Sequence, residues 1–383
     1  MNEITKWKIP LYKIYTDDED VDLITKIVKR GSGWALGPEI EEFENTLKNF
    51  VGQKYCVTFN SGTSALHASL IASQINCNHE VIVPSFSFIS TANSVLFVGA
   101  KPKFVDIEEQ TFGLDPKLIE KAISSNTRAI IPIDYGGQSC QISEIKKISD
   151  ENDLILIEDA AESLGSSVNS KKVGSISELA IFSFCGNKVL TTGEGGAAIT
   201  SSPEIYEKLK LIRSHGRIDN SNYFFNTKNS DYVQLGYNWR MSSITAALGI
   251  SQLSKLEKII SRRQIIAKSL SSKLSKHKEI KIPKPKDGYE HIYQMYTIRL
   301  PSEKIRNSLQ KFLTNKKIVT KIYFSPIHQT SFYKNFSKND FSLPVTESIS
   351  NQVLTLPLYP NMTSEEMNYL SESIDEFFEK TNN

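Results

Sequence analysis

Short apolar runs alternate with stretches of helical spacing through the first half of this chain, and that alternation limits the folds open to it. Residues 55–59, 80–83, 103–105, 129–133, 154–157 and 179–182 each read as a buried strand, with helix-like segments between them. Parallel strands need a crossover to join them, so the pattern predicts an α/β protein whose mainly parallel sheet is covered by helices. Upstream, 39–50 carries apolar residues at helical spacing, starts after Pro38 and ends near Gly52. Past Arg240 the pattern changes. Residues 242–274 read as one long amphipathic helix bridging to a second unit, followed by a strand at 292–300, a helix at 302–313, a strand at 319–324 and a helix at 364–378. Residues 281–288, rich in Lys and Pro, read as a loop. The 383 residues are too many for one small core, which predicts a large domain over 1–245 and a small C-terminal α+β domain over 246–383.

Three segments carry chemistry. Lys188 follows the strand 179–182 in Ser183-Phe184-Cys185-Gly186-Asn187-Lys188 and precedes Gly193-Glu194-Gly195-Gly196. Small residues after a buried strand are where α/β proteins bring backbone close to ligands, and an amine near apolar walls becomes a nucleophile toward carbonyls. Strand 154–157 runs into Glu158-Asp159-Ala160-Ala161-Glu162. Either acid could cap a following helix, but a carboxylate at one strand end with a lysine at another fits a pyridoxal 5'-phosphate (PLP) site. There the acid partners the pyridinium nitrogen and the lysine forms an imine. In Asn60-Ser61-Gly62-Thr63-Ser64 a strand turns into a helix, whose first N–H groups, with the Thr63 and Ser64 hydroxyls, can hold a phosphate; Ser61 or Asn60 capping a structural helix is the other reading.

The ordered set Ser-Gly-Thr-Ser-Ala-Leu, Pro-Ser-Phe-Ser-Phe, Glu-Asp-Ala-Ala-Glu, Ser-Phe-Cys-Gly-Asn-Lys and Gly-Glu-Gly-Gly resembles the nucleotide-sugar aminotransferases of the DegT/DnrJ/StrS group. With Gly31-Ser32-Gly33-Trp34 at one end and Leu356-Pro357-Leu358-Tyr359-Pro360 at the other, the likeness covers nearly the whole chain. It implies the PLP fold-type I architecture, a mainly parallel sheet with a smaller C-terminal α+β domain. The form Gly-Asn-Lys followed by Thr-Thr-Gly-Glu-Gly-Gly is most similar to the perosamine-synthase subgroup, which aminates C4 of a nucleotide-linked 4-keto-6-deoxyhexose with L-glutamate as donor. C3 amination of a 3-keto sugar stays open. The resemblance gives Lys188 the catalytic role and Gly62, Thr63, Ser64, Phe88, Asp159, Glu162, Ser183 and Asn238 contacts to the cofactor. Phe88 matches an aromatic ring stacked on PLP, where a core phenylalanine is the other reading; Ser183 matches a phosphate contact. Glu162 matches a polar residue near the phenolic oxygen, where a carboxylate would be repelled, so a place facing the substrate or a bridging water is the other reading. Asn238 matches a residue that reaches a neighbouring subunit's phosphate, which implies a homodimer with shared active sites. His215 and His328 match segments lining the substrate side, although either could be structural.

Composition excludes other classes. The formal charge of +2 carries no basic stripe of the kind nucleic acid requires; Lys171-Lys172 and Lys316-Lys317 read as solvated surface. Cys56, Cys77, Cys140 and Cys185 lack metal or disulfide spacing, so no metal site is expected and a reducing cytoplasm fits best. Residues 1–6 lack the apolar core of a signal peptide, and no run of about 18 apolar residues exists to cross a bilayer. Related sugar 3-dehydratases typically carry histidine in place of the lysine, and iron–sulfur dehydratases need clustered cysteines. Gly31-Ser32-Gly33 does not follow a strand and lacks the third glycine of a dinucleotide fingerprint. A non-catalytic PLP-binding sensor is the remaining rival, and an intact lysine, aspartate and phosphate turn argue against it.

Overall fold

The computed structural model describes residues 7–218, 227, 230–336 and 342–382; the N-terminal hexapeptide read above lies outside them. A seven-stranded sheet is built from β1 (Tyr55–Phe59), β2 (Glu80–Pro84), β3 (Lys101–Val105), β4 (Thr127–Ile130), β5 (Ile155–Asp159), β6 (Leu179–Ser183) and β7 (Gly196–Thr200). The spatial order is β1-β7-β6-β5-β4-β2-β3. Every neighbouring pair is parallel except the two that β7 makes, with β1 and with β6. Six strands thus match the sequence reading to within a few residues, but β7 was missed. Its Gly-Ala-Ala-Ile-Thr sequence has no alternation because both of its faces are buried between neighbours.

Alternate residues along the strands supply two apolar layers. Val57, Ala129, Ile157, Ile181 and Ala198 pack on the helices Gly62–Ala72, Ser90–Phe97 and Pro203–Arg213. On the other face Cys56, Phe182, Ala197 and Ile199 meet the helices Pro38–Val51 and Ser243–Ser254, while Ile82, Ile130 and Leu156 meet Pro116–Ala122 and Ile142–Glu151. Helices on both faces leave only the strand ends open, which is where an α/β protein binds its ligand.

The long helix expected over 242–274 is broken in two, Ser243–Ser254 and Leu256–Leu274, at Lys255, whose φ/ψ of −107°/7° leaves the helical region. The Lys255 ammonium reaches back to Asp17, the N-cap of the helix Asp18–Arg30, and, at 3.0 Å, to Asp20 in its first turn. Leu256 and Ile260 pack in the core around Phe43 and Phe182, whereas Ile266, Leu270 and Leu274 belong to the core around Tyr296 and Leu354, so this helix runs from one core to the other. In the latter core β8 (Tyr296–Arg299) pairs antiparallel with β9 (Val353–Leu356) beneath the helices Glu303–Asn315 and Ser364–Asn382. The strand expected at 319–324 is not formed; Lys321 makes an isolated bridge to Thr355 of β9, and Ile318, just before the segment, makes one to Ile9.

Gly196 opens β7 against the turn that ends β1. A Cβ there would lie 2.5 Å from the Ser61 carbonyl and the Gly62 nitrogen, both rigid backbone. Gly196→Ala should therefore cost about 1–3 kcal/mol through overpacking, read as a lower urea midpoint at unchanged m-value. An unchanged midpoint would show that the two backbones do not need the missing side chain.

Candidate active site

Asp159 is the last residue of β5 and pairs with Ile181 of β6, which puts its carboxyl at the sheet edge from which the Lys188 turn leaves. Only 3% of Asp159 is exposed. Its Oδ2 accepts from the Thr91 hydroxyl at 2.7 Å and its Oδ1 from the Ala161 N–H at 3.4 Å. Burial pushes the carboxyl pKa up to about 6, against the pull of these two donors and of the Lys188 charge, while nearby Glu162 pushes it higher. Neither Asp159 nor Glu158 caps a helix, since turns and short strands follow them. Glu158 points to the other face, taking the Ser177 hydroxyl and the Gly174 N–H at 3.2 Å.

Lys188 lies five residues past β6, its N–H donating to the Cys185 carbonyl at 3.0 Å. Its Nζ is 3.4 Å from Glu162 Oε1, and the lysine side chain is 13% exposed. The other Glu162 oxygen accepts the Gly136 N–H at 2.9 Å. Glu162 is thus an anchor for the lysine, a role that its sequence context did not specify.

The helix Gly62–Ala72 is capped by Ser61, which accepts from the Ser64 N–H at 3.1 Å, and Ser64 donates to Asn60 at 2.7 Å. A Cβ on Gly62 would stand 2.9 Å from the Ser183 Cβ, so Gly62, at the start of this helix, meets Ser183 at the end of β6. The Ser61 cap of the other reading is present, and the remaining first N–H groups, which have no intrahelical acceptor, could take an anion beside it. Phe88, 58% exposed, belongs to the turn leading into Thr91: its carbonyl accepts the Thr91 N–H at 3.2 Å, and the Ser87 and Thr91 hydroxyls meet at 2.7 Å.

Asn238 is exposed and bridges to Ser214, and the next carbonyl, that of Trp239, accepts the Asn60 N–H at 2.9 Å. His215 is exposed in the adjoining turn at φ 64°. His328 matches a substrate-side segment, with a structural histidine as the other reading. It is buried, with Nδ1 2.7 Å from the Ser85 hydroxyl and Nε2 3.3 Å from Glu347, and burial lowers its pKa, so both ring nitrogens are engaged within the fold. Thr91, Gly136 and Tyr135 are site residues that the sequence reading missed. Tyr135 donates to the Tyr323 carbonyl at 2.6 Å and packs on Phe86 and Phe112; burial raises its phenol pKa. Lone Thr, Gly and Tyr in ordinary loops carry no pattern that would have marked them.

These residues fit PLP. The Gly62 corner would take a phosphate, Lys188 would take an aldehyde, and Asp159, buried among neutral donors with the lysine acting only at a distance, would gain a direct cation in a protonated ring nitrogen. A cavity of about 640 Å³ lined by Glu44, Arg213 and Arg240 contains none of Lys188, Asp159 and Glu162, so the donor set and not cavity size locates the site. Among the described residues no group of His, Cys, Asp or Glu is arranged to hold a metal, and no helix is long and apolar enough to cross a membrane.

Residues 15–375 match the DegT/DnrJ/EryC1/StrS aminotransferase family. The chain belongs to that family. It is a sugar aminotransferase, and its cofactor is pyridoxal 5'-phosphate. It is 34% identical to GDP-perosamine synthase of Caulobacter vibrioides, with 89% of this chain and 91% of that protein aligned. It is 32% identical to the UDP-4-amino-4,6-dideoxy-N-acetyl-beta-L-altrosamine transaminase of Campylobacter jejuni, over 95% and 96%. The structure of S. venezuelae DesV in complex with a ketimine intermediate superposes with a TM-score of 0.88 at 29% identity, covering 96% of this chain and 98% of that one.

The Asp159 carboxyl sets a pH test. It holds its proton to about pH 6 in the fold, against about 3.9 in an unfolded chain. Between those values the folded state binds more protons, so stability falls as pH rises through the window, by on the order of 3 kcal/mol once complete. Cofactor-free Asp159→Asn should be more stable than the parent at pH 8, with the difference closing below pH 4. Parallel stability curves for the two proteins would contradict the buried carboxyl.

Proposed function

We propose that this aminotransferase moves the amino group of L-glutamate onto C4 of a nucleotide-linked 4-keto-6-deoxyhexose, as a GDP-perosamine synthase does. The observation that carries the reading is the 3.4 Å Lys188–Glu162 contact at the strand edge that also holds buried Asp159. The likeness to the Caulobacter enzyme supports the sugar and the ketone position, and the Campylobacter transaminase supports a nucleotide-linked substrate.

When bound, PLP supplies an aldehyde for attachment and a conjugated ring that accepts carbanion electrons. Lys188 Nζ is the attachment point and, once released, the base that moves a proton off the α-carbon of the donor and later onto C4 of the sugar. Asp159 holds a proton at the ring nitrogen. The N–H groups of the Gly62 turn, with the Thr63, Ser64 and Ser183 hydroxyls, hold the phosphate. Phe88 covers one ring face, and Glu162 keeps the lysine beside the site. His215, exposed on the turn next to Asn238, faces the substrate.

A second copy completes each site through Asn238. Supporting this, Asn238 follows an exposed apolar stretch in which Tyr232, Val233 and Leu235 are open to solvent, Leu235 by 80%. Mixing inactive Lys188→Ala and Asn238→Asp proteins should then restore activity, because one mixed dimer site receives both intact residues. Absence of any recovery after subunit exchange is verified would count against sharing.

Lys188→Ala should lower turnover by at least about a thousandfold and abolish borohydride-trapped cofactor at position 188. A panel of GDP-, dTDP- and UDP-linked 4-keto-6-deoxyhexoses with glutamate should yield one substrate aminated at C4. Product aminated at C3, or turnover only with 3-keto sugars, would overturn the substrate assignment while leaving the transaminase intact.

A further inference from the structure

The loop that carries Lys188 is also held by Gln294, from the segment just before β8. Gln294 Oε1 accepts the Val189 N–H at 2.8 Å, and Gln294 Nε2 donates to the Asn187 carbonyl at 2.9 Å. One side-chain amide therefore grips the peptide groups on both sides of the lysine. A primary amide is suited to this, because it offers an acceptor and a donor side by side. Gln294 is 5% exposed, so a lost partner could not be replaced by water at little cost.

The backbone around Gln294 is fixed as firmly. Buried Arg263, on the helix joining the two cores, donates to the Tyr293 carbonyl at 2.8 Å and to the Gln294 carbonyl at 2.9 Å. On the other side Ile292 N–H reaches the Gly137 carbonyl at 2.9 Å and Met295 N–H the Gly136 carbonyl at 3.0 Å. Gly137, at φ 108°, permits this approach: a Cβ there would lie 2.7 Å from the Gln294 nitrogen. Gly136 is the residue whose own N–H holds Glu162. The four residues 292–295 thus bind both halves of the Lys188–Glu162 pair, Lys188 through the Gln294 amide and Glu162 through Gly136.

We propose that Gln294 is a positioning residue that sets the place of Lys188 Nζ by clamping both peptide groups flanking it, so that a segment more than 100 residues away in sequence governs the geometry of the reacting amine. The inference rests on the reading of Lys188 as the residue that bonds the cofactor.

The test compares holoenzyme with Gln294→Leu, which loses both contacts, and with Gln294→Glu, which keeps the acceptor and loses the donor. Borohydride trapping and peptide mapping of the parent come first: label at Lys188 secures the underlying reading, and label elsewhere overturns it and this inference together. With label at Lys188, Gln294→Leu should lower kcat by about tenfold to a hundredfold, with KM for donor and sugar changing much less. It should also shift the pH midpoint of the absorbance change of the lysine-bound cofactor and speed deuterium uptake in residues 186–190. Gln294→Glu should fall between leucine and the parent. If the leucine protein does not fold, the glutamate protein carries the same readouts. Parent-like kcat and an unmoved spectral midpoint in a folded variant would overturn the clamp while leaving the role of Lys188 untouched.

Discussion

Parallel pairing of β5 with β6, with Asp159 opposite Ile181, is the constraint from which the site follows. Parallel strands end at the same edge of a sheet, so a carboxylate on the last residue of one and a lysine just beyond the end of its neighbour emerge side by side. β1 reaches that edge by a different route. It is antiparallel to β7, which is antiparallel to β6, and two reversals restore the common direction. The Gly62 turn therefore lands against Ser183, and Gly196 supplies the room for it.

The charges gathered at this edge explain why the site suits a cationic heterocycle. Asp159 and Glu162 face one ammonium, that of Lys188, and only Glu162 touches it. The remaining carboxylate is buried against a hydroxyl and an amide, an arrangement that keeps it partly protonated unless a second cation arrives. A protonated ring nitrogen is such a cation. Glu158 and Asp134 are both fully buried, Glu158 accepting from Ser177 and Gly174 and Asp134 from Ser163 and Cys140; burial raises both pKa values, and the charge of Asp134 raises that of Glu158 further. The strand end is thus bounded by acids on both faces, one set serving structure and the other the ligand.

Segment 292–295 is the common support of the two loops that meet at the lysine, and Arg263 ties that segment to the helix shared by both cores. Rigid support of this kind is what a reacting amine needs, since small displacements of a nucleophile or base are costly in rate.

Much of this was legible in the chain alone. Apolar runs ending in Asp159 and in the Ser183-to-Lys188 segment marked buried strands with polar ends, and periodicity is a local property that survives without knowledge of partners. Gly196–Thr200 was not legible as a strand, because a segment buried on both faces has no alternation. The break at Lys255 depends on Asp17 and Asp20, more than 230 residues away in sequence. The inward turn of His328 depends on Ser85 and Glu347, and the grip of Gln294 on the Lys188 loop joins residues more than 100 apart. The sequence by itself determined most of the strand-and-helix pattern and the family, since those reside in local composition and order. Which groups touch, which are buried and which carry strain or charge was decided only by tertiary structure, because hydrogen bonds and desolvation act between atoms that the chain brings together from far apart.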